Sequence, residues 1–314
     1  MIVTITLNPA IDRTLILSDA LEVGELNIVS ESYVEIGGKG INVSRAIRSL
    51  GGQSEAMGFA AGANGRTLKE GLMSYGIHHD FIDIPGETRV NIQVVTPSGE
   101  HTDINEPGAK ISDADYLRLI ERIKLYLDPS NLFVISGRMP PGMSEKQYMK
   151  LIRIIKKKGC PLFVDCGGQL LSRVLEADYK PDFIKPNSTE LAAATGRPKT
   201  KDPEEALIGA MELHKRGVRF VCASLGDNGA VFVCENEQPL YITTPLNLST
   251  SSAVGSGDAM IGAIVHAYNQ GMCYEEIAKF AVAMGTASAR LPGSQMATMK
   301  EAFEIYETLQ VYTM

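Results

Sequence analysis

The chain has 314 residues, of which 44% are hydrophobic and 21% are charged, and its net charge is −7. This length suits one large α/β domain or two ordinary ones. The acidic balance argues against sequence-independent binding of nucleic acid, whose electrostatic footprint is basic. Neither a signal peptide nor a membrane-spanning apolar run is evident, so we expect a cytoplasmic protein without nucleic-acid or membrane partners. The five cysteines lack metal-ligand spacing and are expected to be reduced.

The chain opens on an apolar strand that leads into residues 6–12, TLNPAID. An acidic residue just past a buried first strand lies where a doubly wound sheet presents its ligand contacts. A carboxylate there suits the hydroxyl groups of a polyol, from which it accepts hydrogen bonds in pairs. Asp12 is therefore a candidate sugar-binding residue. A turn aspartate that bonds its own backbone is the alternative.

Two segments, 13–35 and 88–105, are strand-rich with alternating polarity, and neither has a helix between its strands. This pattern predicts a small antiparallel sheet that stands off the core. We expect the sheet to act as a lid that excludes water from a neighbouring site. An exposed sheet edge also favours a homodimer through the lid.

A glycine-rich turn between these segments, residues 37–46 (GGKGINVSRA), runs into a predicted helix. Glycines let the backbone approach a ligand closely, and Lys39 and Asn42 add a cation and an amide at the same place. The turn is not a Walker A loop, because glycine follows Lys39 where that motif has Ser or Thr. A flexible turn before an ordinary helix is the alternative.

Two arginines are candidates for phosphate binding. Arg89 and Asn91 are two residues apart on a predicted strand and so share one face. A guanidinium grips phosphate bidentately, whereas a solvated arginine on an edge strand would have no such role. Arg138 follows the apolar strand 133–135, where the carboxyl end of that strand is expected.

The C-terminal two-thirds of the chain alternate amphipathic helices with short apolar strands. Helices are predicted at 116–123, 145–157 and 204–216, and strands at 132–135, 162–165, 183–185 and 219–222. Strands without polar alternation between such helices indicate a parallel sheet that is covered on both faces. The predicted fold class is α/β: a doubly wound, Rossmann-like, mostly parallel sheet with helices on both faces, in a single domain over residues 1–314.

Two further turns follow core strands. In residues 185–190, KPNSTE, a helix that begins at Asn187 places Asn187 and Glu190 on one face toward the cleft. An amide and a carboxylate there can organise magnesium-bound water beside nucleotide phosphates, although the same letters form an N-cap box. The glycine turn at residues 224–230 either wraps a nucleotide phosphate or simply enters a hairpin.

The most informative junction is residues 254–258, VGSGD, which opens a long apolar helical stretch. The N-terminus of a helix is a ready anion site, because its backbone donors and the helix dipole both favour negative charge. A carboxylate beside such a site suggests a base that prepares a hydroxyl for phosphoryl transfer. Asp258 is therefore the candidate base, and a plain N-terminal cap is the alternative.

In their order along the chain, these motifs resemble those of the ribokinase/phosphofructokinase-B (PfkB) sugar kinase family, with a ribokinase-like fold. Residues 6–12 and 89–92 are similar to the phosphosugar branch of 1-phosphofructokinase and tagatose-6-phosphate kinase. The resemblance implies that Asp258 is the base and that the amides of Gly255, Ser256 and Gly257 form an anion hole. It assigns the phosphosugar to Asp12, Gly37, Gly38, Lys39, Asn42, Arg89, Asn91 and Arg138. It assigns ATP and Mg²⁺ to Lys185, Asn187, Glu190, Ser224, Gly226 and Gly229, with Glu190 reaching the metal through water.

The reaction implied by this resemblance is ATP-dependent phosphorylation of a ketohexose phosphate to its bisphosphate. Fructose 1-phosphate and tagatose 6-phosphate are the expected acceptors. Residues 137–140 read GRMP where this branch usually has GSLP, a departure that bears on sugar preference. The alternatives are a kinase of fructose 6-phosphate, of an unphosphorylated sugar or of a nucleoside, and a non-catalytic sugar-phosphate sensor. A dinucleotide oxidoreductase is disfavoured, because no GxGxxG follows the first strand.

Overall fold

The computed structural model describes residues 1–244 and 254–314, and these form two sheets and ten helices. The strands are β1 (Ile2–Thr6), β2 (Ala10–Leu17), β3 (Val29–Gly37), β4 (Ser54–Ala61), β5 (His78–Ile84), β6 (Arg89–Val95), β7 (His101–Asn105), β8 (Leu132–Ser136), β9 (Leu162–Asp165), β10 (Phe183–Ile184), β11 (Phe220–Ser224), β12 (Ala230–Cys234), β13 (Leu240–Thr243) and β14 (Gln310–Thr313). The helices are α1 (Lys39–Ser49), α2 (Gly62–Ser74), α3 (Asp113–Lys124), α4 (Glu145–Lys157), α5 (Gln169–Glu176), α6 (Ser188–Thr195), α7 (Pro203–Lys215), α8 (Ser256–Asn269), α9 (Tyr274–Ala289) and α10 (Met299–Tyr306).

The large sheet has ten strands in the order β14-β13-β12-β11-β10-β9-β8-β1-β4-β5. All pairings from β11 to β5 are parallel, and β12, β13 and β14 close the other edge through antiparallel pairings. The strand order reverses at β1, which lies between β4 and β8. In such sheets ligands bind outside the carboxyl ends of the strands near that reversal.

Side chains from both faces of the large sheet are buried. Val3 and Ile5 of β1 pack in a cluster with apolar residues of α3, α4, α5, α6 and α7. Ile2 faces the other way and packs with residues of α1, α8, α9 and α10. Successive residues of a strand point to opposite faces of the sheet. A strand with helices packed on both faces must therefore be apolar throughout. This explains the unalternating strands and confirms the predicted doubly wound α/β fold.

The predicted elements match the structure closely, and the differences lie at their ends. The helix predicted at 145–157 has those bounds, whereas the one predicted at 204–216 runs from Pro203 to Lys215. It begins earlier because the Asp202 side chain accepts hydrogen bonds from the backbone N–H groups of Glu204 and Glu205, each over 3.0 Å. Proline is tolerated in the first turn of a helix, where its missing N–H would have no partner.

A second, small sheet of four strands, β3-β2-β6-β7, stands off the core. The two outer pairings are antiparallel, as expected, but β2 and β6 run parallel. The parallel pair arises because β2 follows β1 and β6 follows β5. Both strands therefore leave the same edge of the large sheet in the same direction. Within the two described ranges, no helix combines the length and apolarity needed to cross a membrane.

Candidate active site

A cavity of about 880 Å³ lies between the carboxyl edge of the large sheet and the small sheet. All but two of the residues predicted for the site line it. They are Asp12, Gly38, Lys39, Asn42, Arg89, Asn91, Lys185, Asn187, Glu190, Ser224, Gly226, Gly229, Gly255, Ser256, Gly257 and Asp258.

Asp258 lies in the first turn of α8, with its side chain at the cavity wall. Gly255 caps this helix in the left-handed conformation, with φ of 78°, which only glycine adopts without strain. The carboxylate is 7% exposed and accepts a hydrogen bond of 2.9 Å from Nδ2 of Asn42. Burial, together with the negative charge of Asp165, raises the pKa of Asp258 to about 6. Such a carboxylate is ionised near neutral pH yet basic enough to take a proton.

Asp165 is a site residue that the sequence reasoning missed. It ends β9, accepts a hydrogen bond of 2.8 Å from Ser136, and forms an ion pair of 3.0 Å with Lys39. Burial alone would raise the pKa of Asp165, but Lys39 and Lys185 hold that pKa below its usual value. The same carboxylate, with Asp258 and Glu190, raises the pKa of Lys39 against the effect of burial. The sequence feature that marks Asp165 is the one that marked Asp12 as a candidate: an acidic residue at the end of a buried strand.

Beneath the small sheet, Asp12, Arg89 and Asn91 form a polar cluster. Asn91 donates a hydrogen bond of 2.8 Å from Nδ2 to Asp12, and burial raises the pKa of the Asp12 carboxyl. Two buried atoms of the cluster, Nε of Arg89 and Oδ1 of Asn91, have no hydrogen-bond partner among residues 1–244 and 254–314. Unpaired buried polar atoms are costly and point to a ligand that would satisfy them.

Gly37 and Arg138 are the two predicted residues outside the cavity wall. Gly37 pairs with Ala10 in the ladder, and a Cβ at this position would overlap the Asp12 carboxylate. Gly37 therefore makes room for Asp12 without facing the cavity. Arg138 is exposed, but it lies close enough to Arg89 that its positive charge helps burial to lower the pKa of Arg89.

The opposite end of the cavity is formed around Lys185. This side chain is 7% exposed, and a Cβ placed on Gly257 would lie 3.1 Å from its Nζ. Lys185 thus supplies positive charge beside the N-terminus of α8. Asn187 and Glu190 line the cavity and also form the N-cap box of α6: Asn187 Oδ1 accepts from the Glu190 N–H over 3.0 Å, and Glu190 Oε2 accepts from the Asn187 N–H over 2.9 Å.

The turn after β11 is a hairpin entry and a cavity wall at once. Gly226–Asn228 form one turn of 3₁₀ helix, after which β12 returns antiparallel to β11. Helices α8 and α9 add a wall of mostly small or apolar side chains that the sequence reasoning did not identify. These are Met260, Val282, Gly285, Thr286 and Ala289.

The donors at this end fit a magnesium nucleotide but not a closed metal cage. Among the residues that the structure describes, no three His, Cys, Asp or Glu side chains converge to hold a metal ion. Mg²⁺ is typically bound through phosphates and water with one or two carboxylates. Glu190 is suitably placed for such a water, because only Oε2 is engaged by the helix cap.

The cavity thus joins a polar pocket at the small sheet to a cationic, partly apolar pocket at α8 and α9. Asp258 lies between them at a helix N-terminus, with Lys39 and Lys185 close enough to lower its pKa against burial. A carboxylate at this position can accept a proton from an alcohol, and the helix end and the lysines can stabilise an anion. The arrangement suits transfer of an anionic group to a hydroxyl.

Comparison with known proteins agrees with this chemistry. A family model described as pfkB family carbohydrate kinase matches residues 5–301. The chain is 36% identical over 299 residues to a 1-phosphofructokinase of Haloferax volcanii, covering 93% of each protein. It superposes on phosphofructokinase-2 from Escherichia coli with a TM-score of 0.91 and 31% identity, covering 98% of both chains. A possible 1-phosphofructokinase of Thermotoga maritima gives a TM-score of 0.90 and 30% identity, with 100% and 99% covered.

These matches extend over nearly the whole chain, and they include both sheets and every segment that lines the cavity. The relatives are named as kinases that phosphorylate a sugar. The cavity described above holds a buried carboxylate, two lysines and a polar pocket, a set of groups that suits such a transfer. The chain belongs to the pfkB family of carbohydrate kinases.

Proposed function

We propose that this kinase phosphorylates a ketohexose phosphate at a primary hydroxyl, with ATP as the donor and Asp258 as the general base. The observation that carries the proposal is the placement of Asp258: its carboxylate faces the same cavity as Lys39 and Arg89. Its pKa of about 6 leaves it ionised at neutral pH. General-base catalysis by a positioned side chain typically contributes about 10²–10⁴-fold to turnover.

The acceptor sugar binds in the pocket beneath the small sheet. Asp12 accepts hydrogen bonds from sugar hydroxyls, and Arg89 binds the phosphate that the sugar already carries. The unpaired Nε of Arg89 and Oδ1 of Asn91 support this assignment, because a phosphorylated polyol offers an acceptor to the first and a donor to the second. Arg138, which lies outside the cavity wall, adds positive charge near Arg89. The small sheet acts as a lid over this pocket.

ATP binds at the other end of the cavity, with its adenine ring against the α8–α9 wall and its phosphates at the N-terminus of α8. Asp258 accepts the proton of the sugar hydroxyl, whose oxygen attacks the γ-phosphorus. The bond from that phosphorus to the bridging oxygen breaks, and ADP leaves. Lys39, Lys185 and the backbone of Gly255, Ser256 and Gly257 stabilise the charge of the transferring group. Mg²⁺, when bound, neutralises phosphate charge, and Glu190 would hold one of its waters.

Two acceptors have the chemistry that this pocket requires. Fructose 1-phosphate and tagatose 6-phosphate are furanoses with a phosphate at one end and a CH₂OH at the other. One phosphate clamp and one base can accept either sugar in opposite orientations. The name of the Haloferax volcanii relative favours fructose 1-phosphate, and that of the Escherichia coli relative makes fructose 6-phosphate the closest competitor.

A panel of acceptors at fixed ATP and Mg²⁺ tests the proposed function by ADP release. The panel contains fructose 1-phosphate, tagatose 6-phosphate, fructose 6-phosphate and unphosphorylated fructose. We expect the highest kcat/KM for one of the first two sugars and a much lower value for fructose. A preference for fructose would contradict the phosphate clamp. If none of the four sugars supports ADP release, that result would contradict the proposed reaction.

We also propose that two copies associate through their small sheets. Apolar side chains are exposed on this sheet at Val34 (59% exposed) and on the loop that joins β2 to β3 at Val23 (95%) and Leu26 (87%). Several exposed apolar side chains on one sheet and its connecting loop are typical of an interaction surface. A structure of phosphofructokinase-2 from Escherichia coli is described as a tetrameric inhibited form, so self-association occurs in a protein similar to this one.

A further inference from the structure

Arg45 is a buried cation, and its hydrogen bonds reach three separate parts of the molecule. It lies on α1, is 6% exposed, and stacks its guanidinium 5.1 Å over the ring of Tyr75. Its Nη1 donates to Asn42, to Ser294 and to the backbone oxygen of Ile36, and its Nη2 donates to Glu35. Arg45 does not line the cavity. Any effect on the reaction must therefore pass through these partners.

The first partner leads to Asp258. Arg45 Nη1 donates to Oδ1 of Asn42 over 3.2 Å, and Nδ2 of the same amide donates to Asp258 Oδ2 over 2.9 Å. An amide can flip end for end, and only one orientation presents its donor to a carboxylate. The guanidinium can only donate, so it selects the orientation in which Asn42 also donates to Asp258. Arg45 thus fixes the hydrogen bond that holds the carboxylate.

The second partner leads to the small sheet. Arg45 Nη2 lies 3.1 Å from Oε1 of Glu35, which is on β3. Glu35 pairs in the ladder with Asp12, the acid that faces the sugar pocket. The ion pair therefore anchors the strand beside the sugar-binding carboxylate to the helix that carries Asn42.

The third partner leads to the turn before α8. Arg45 Nη1 donates to Ser294 Oγ over 3.0 Å, and Ser294 donates from its backbone N–H to Glu35 Oε2 over 3.3 Å. A Cβ on Gly255 would lie 3.4 Å from both Cα and Cβ of Ser294, so this segment packs directly against the turn. One guanidinium thus binds three residues, Asn42, Glu35 and Ser294. They contact Asp258, pair with the strand of the sugar pocket, and pack against the Gly255 turn, respectively.

We propose that Arg45 is a positioning residue that holds Asp258, the small sheet and the Gly255–Gly257 turn in register for phosphoryl transfer. This inference rests on the proposed role of Asp258 as base. Misplacement of reacting groups by an ångström can cost on the order of a hundredfold in rate, so a buried cation outside the cavity can control turnover.

Arg45→Lys is the main test, because it keeps the positive charge for Glu35 but has one nitrogen where the guanidinium places Nη1 at Asn42 and Nη2 at Glu35. We expect kcat to fall on the order of ten- to a hundredfold, while KM for ATP and the melting temperature change little. The matched control is Arg48→Met, on the same helix: Arg48 is exposed, and its side chain donates to the backbone oxygen of Tyr75 over 3.2 Å. We expect wild-type turnover from this control.

The pH profile separates positioning from a general loss of structure. Lys39, Asp165 and Lys185 are the charged groups that act on Asp258, and all three remain in the Lys variant. The hydrogen bond from Asn42 lowers the pKa of Asp258, so a loosened Asn42 raises that pKa. The acid limb of the kcat profile should therefore move to higher pH in Arg45→Lys. A folded Lys variant with wild-type kcat and an unshifted acid limb would overturn the inference.

A double-mutant cycle with Asn42→Ala tests the route through Asn42. If Arg45 acts through that amide, Arg45→Lys lowers kcat by a much smaller factor in the Asn42→Ala background than in the wild-type background. If the free-energy costs of the two substitutions on kcat are fully additive, Arg45 does not act through Asn42. Should the Lys variant fail to fold, Ser294→Ala removes the two hydrogen bonds of the Ser294 hydroxyl, with Arg45 and with Glu35, without changing charge. It is expected to lower kcat several-fold. Wild-type kcat in Ser294→Ala would then count against the inference. Substantial turnover in Asp258→Asn would refute the base itself, whatever Arg45 does.

Discussion

The ammonium group of Lys39 lies 3.0 Å from the carboxylate of Asp165, and this ion pair stands beside Asp258. The two partners affect Asp258 in opposite directions: the charge of Asp165 raises the pKa of the Asp258 carboxyl, and the charge of Lys39 lowers it. The pair also fixes the Lys39 ammonium, which lines the cavity, against a buried carboxylate behind it. The basicity of Asp258 is therefore set by residues at the ends of several different elements.

Replacing Asp165 with Asn should shift the pH dependence of the reaction. The variant removes a negative charge that raises the pKa of Asp258, so the acid limb of the kcat profile should move to lower pH. Turnover at pH 8 should fall on the order of tenfold, because Lys39 loses the partner that orients it. A kcat profile measured from about pH 5 to pH 9 tests both statements.

Asp182→Asn is the matched control for that experiment. Asp182 is another buried acid, 9% exposed, which binds Lys156 and accepts from the Leu162 N–H over 2.8 Å far from the cavity. This variant should lose stability and keep the wild-type pH profile. The same shift in both variants would show that the effect is not specific to Asp165.

Arg89 should control the affinity for the sugar phosphate and not the affinity for ATP. Arg89→Ala removes the guanidinium of the phosphate pocket, so KM for the phosphosugar should rise on the order of a hundredfold while KM for ATP stays the same. In Arg89→Lys, KM for the phosphosugar should lie between the values of the wild type and of Arg89→Ala, since lysine binds phosphate as a point charge. Arg13→Ala is the control, because Arg13 is an exposed arginine on the adjacent strand β2. An equal rise in both KM values would argue against the assignment.

The surface of the small sheet should govern self-association. Val34 is 59% exposed on the edge strand β3, and Val34→Glu places a charge in the proposed interface. We expect sedimentation velocity to show weaker dimerisation, with Kd raised on the order of a hundredfold. Leu125→Glu, at a 74% exposed site after α3, should leave association unchanged. A dimer as tight in Val34→Glu as in the wild type would place the interface elsewhere.

The sequence was most informative where one local signal has one structural outcome. Apolar strands between amphipathic helices predicted the parallel sheet, because only a doubly covered strand is apolar on both faces. Acids and glycine turns after such strands predicted a shared cavity, since the carboxyl ends of parallel strands meet at one edge. Asp165 carried the same signal as Asp12 and was overlooked within its strand.

Other features depend on contacts between distant segments and leave no local pattern. The parallel pairing of β2 with β6 follows from where β1 and β5 end, not from the residues of either strand. The α8–α9 wall consists of Gly, Ala, Val, Met and Thr side chains that any buried helix contains. Arg45 looked like an ordinary helical arginine, because its partners Glu35 and Ser294 are 10 and 249 residues away.

Asp258→Asn should stabilise the fold in a pH-dependent way. Burial raises the pKa of this carboxyl from 3.8 to about 6, so its ionisation in the folded state costs about 3 kcal/mol. The protonated form carries no such cost. Wild-type stability is therefore lost as pH rises from about 4 to about 6, after which the loss is constant. Urea unfolding should show the advantage of the Asn variant growing between about pH 4 and pH 6 and staying constant above that. An advantage that shrinks with rising pH would contradict the raised pKa.

The central claim is that the Asp258 carboxylate takes the proton of the sugar hydroxyl. The most direct test is rapid-quench measurement of a single turnover with the preferred phosphosugar, comparing the wild type with Asp258→Asn at saturating ATP. We predict that the variant folds, binds ATP with unchanged affinity, and transfers phosphate on the order of 10²–10⁴-fold more slowly. Phosphoryl transfer within a few-fold of the wild-type rate would contradict the account.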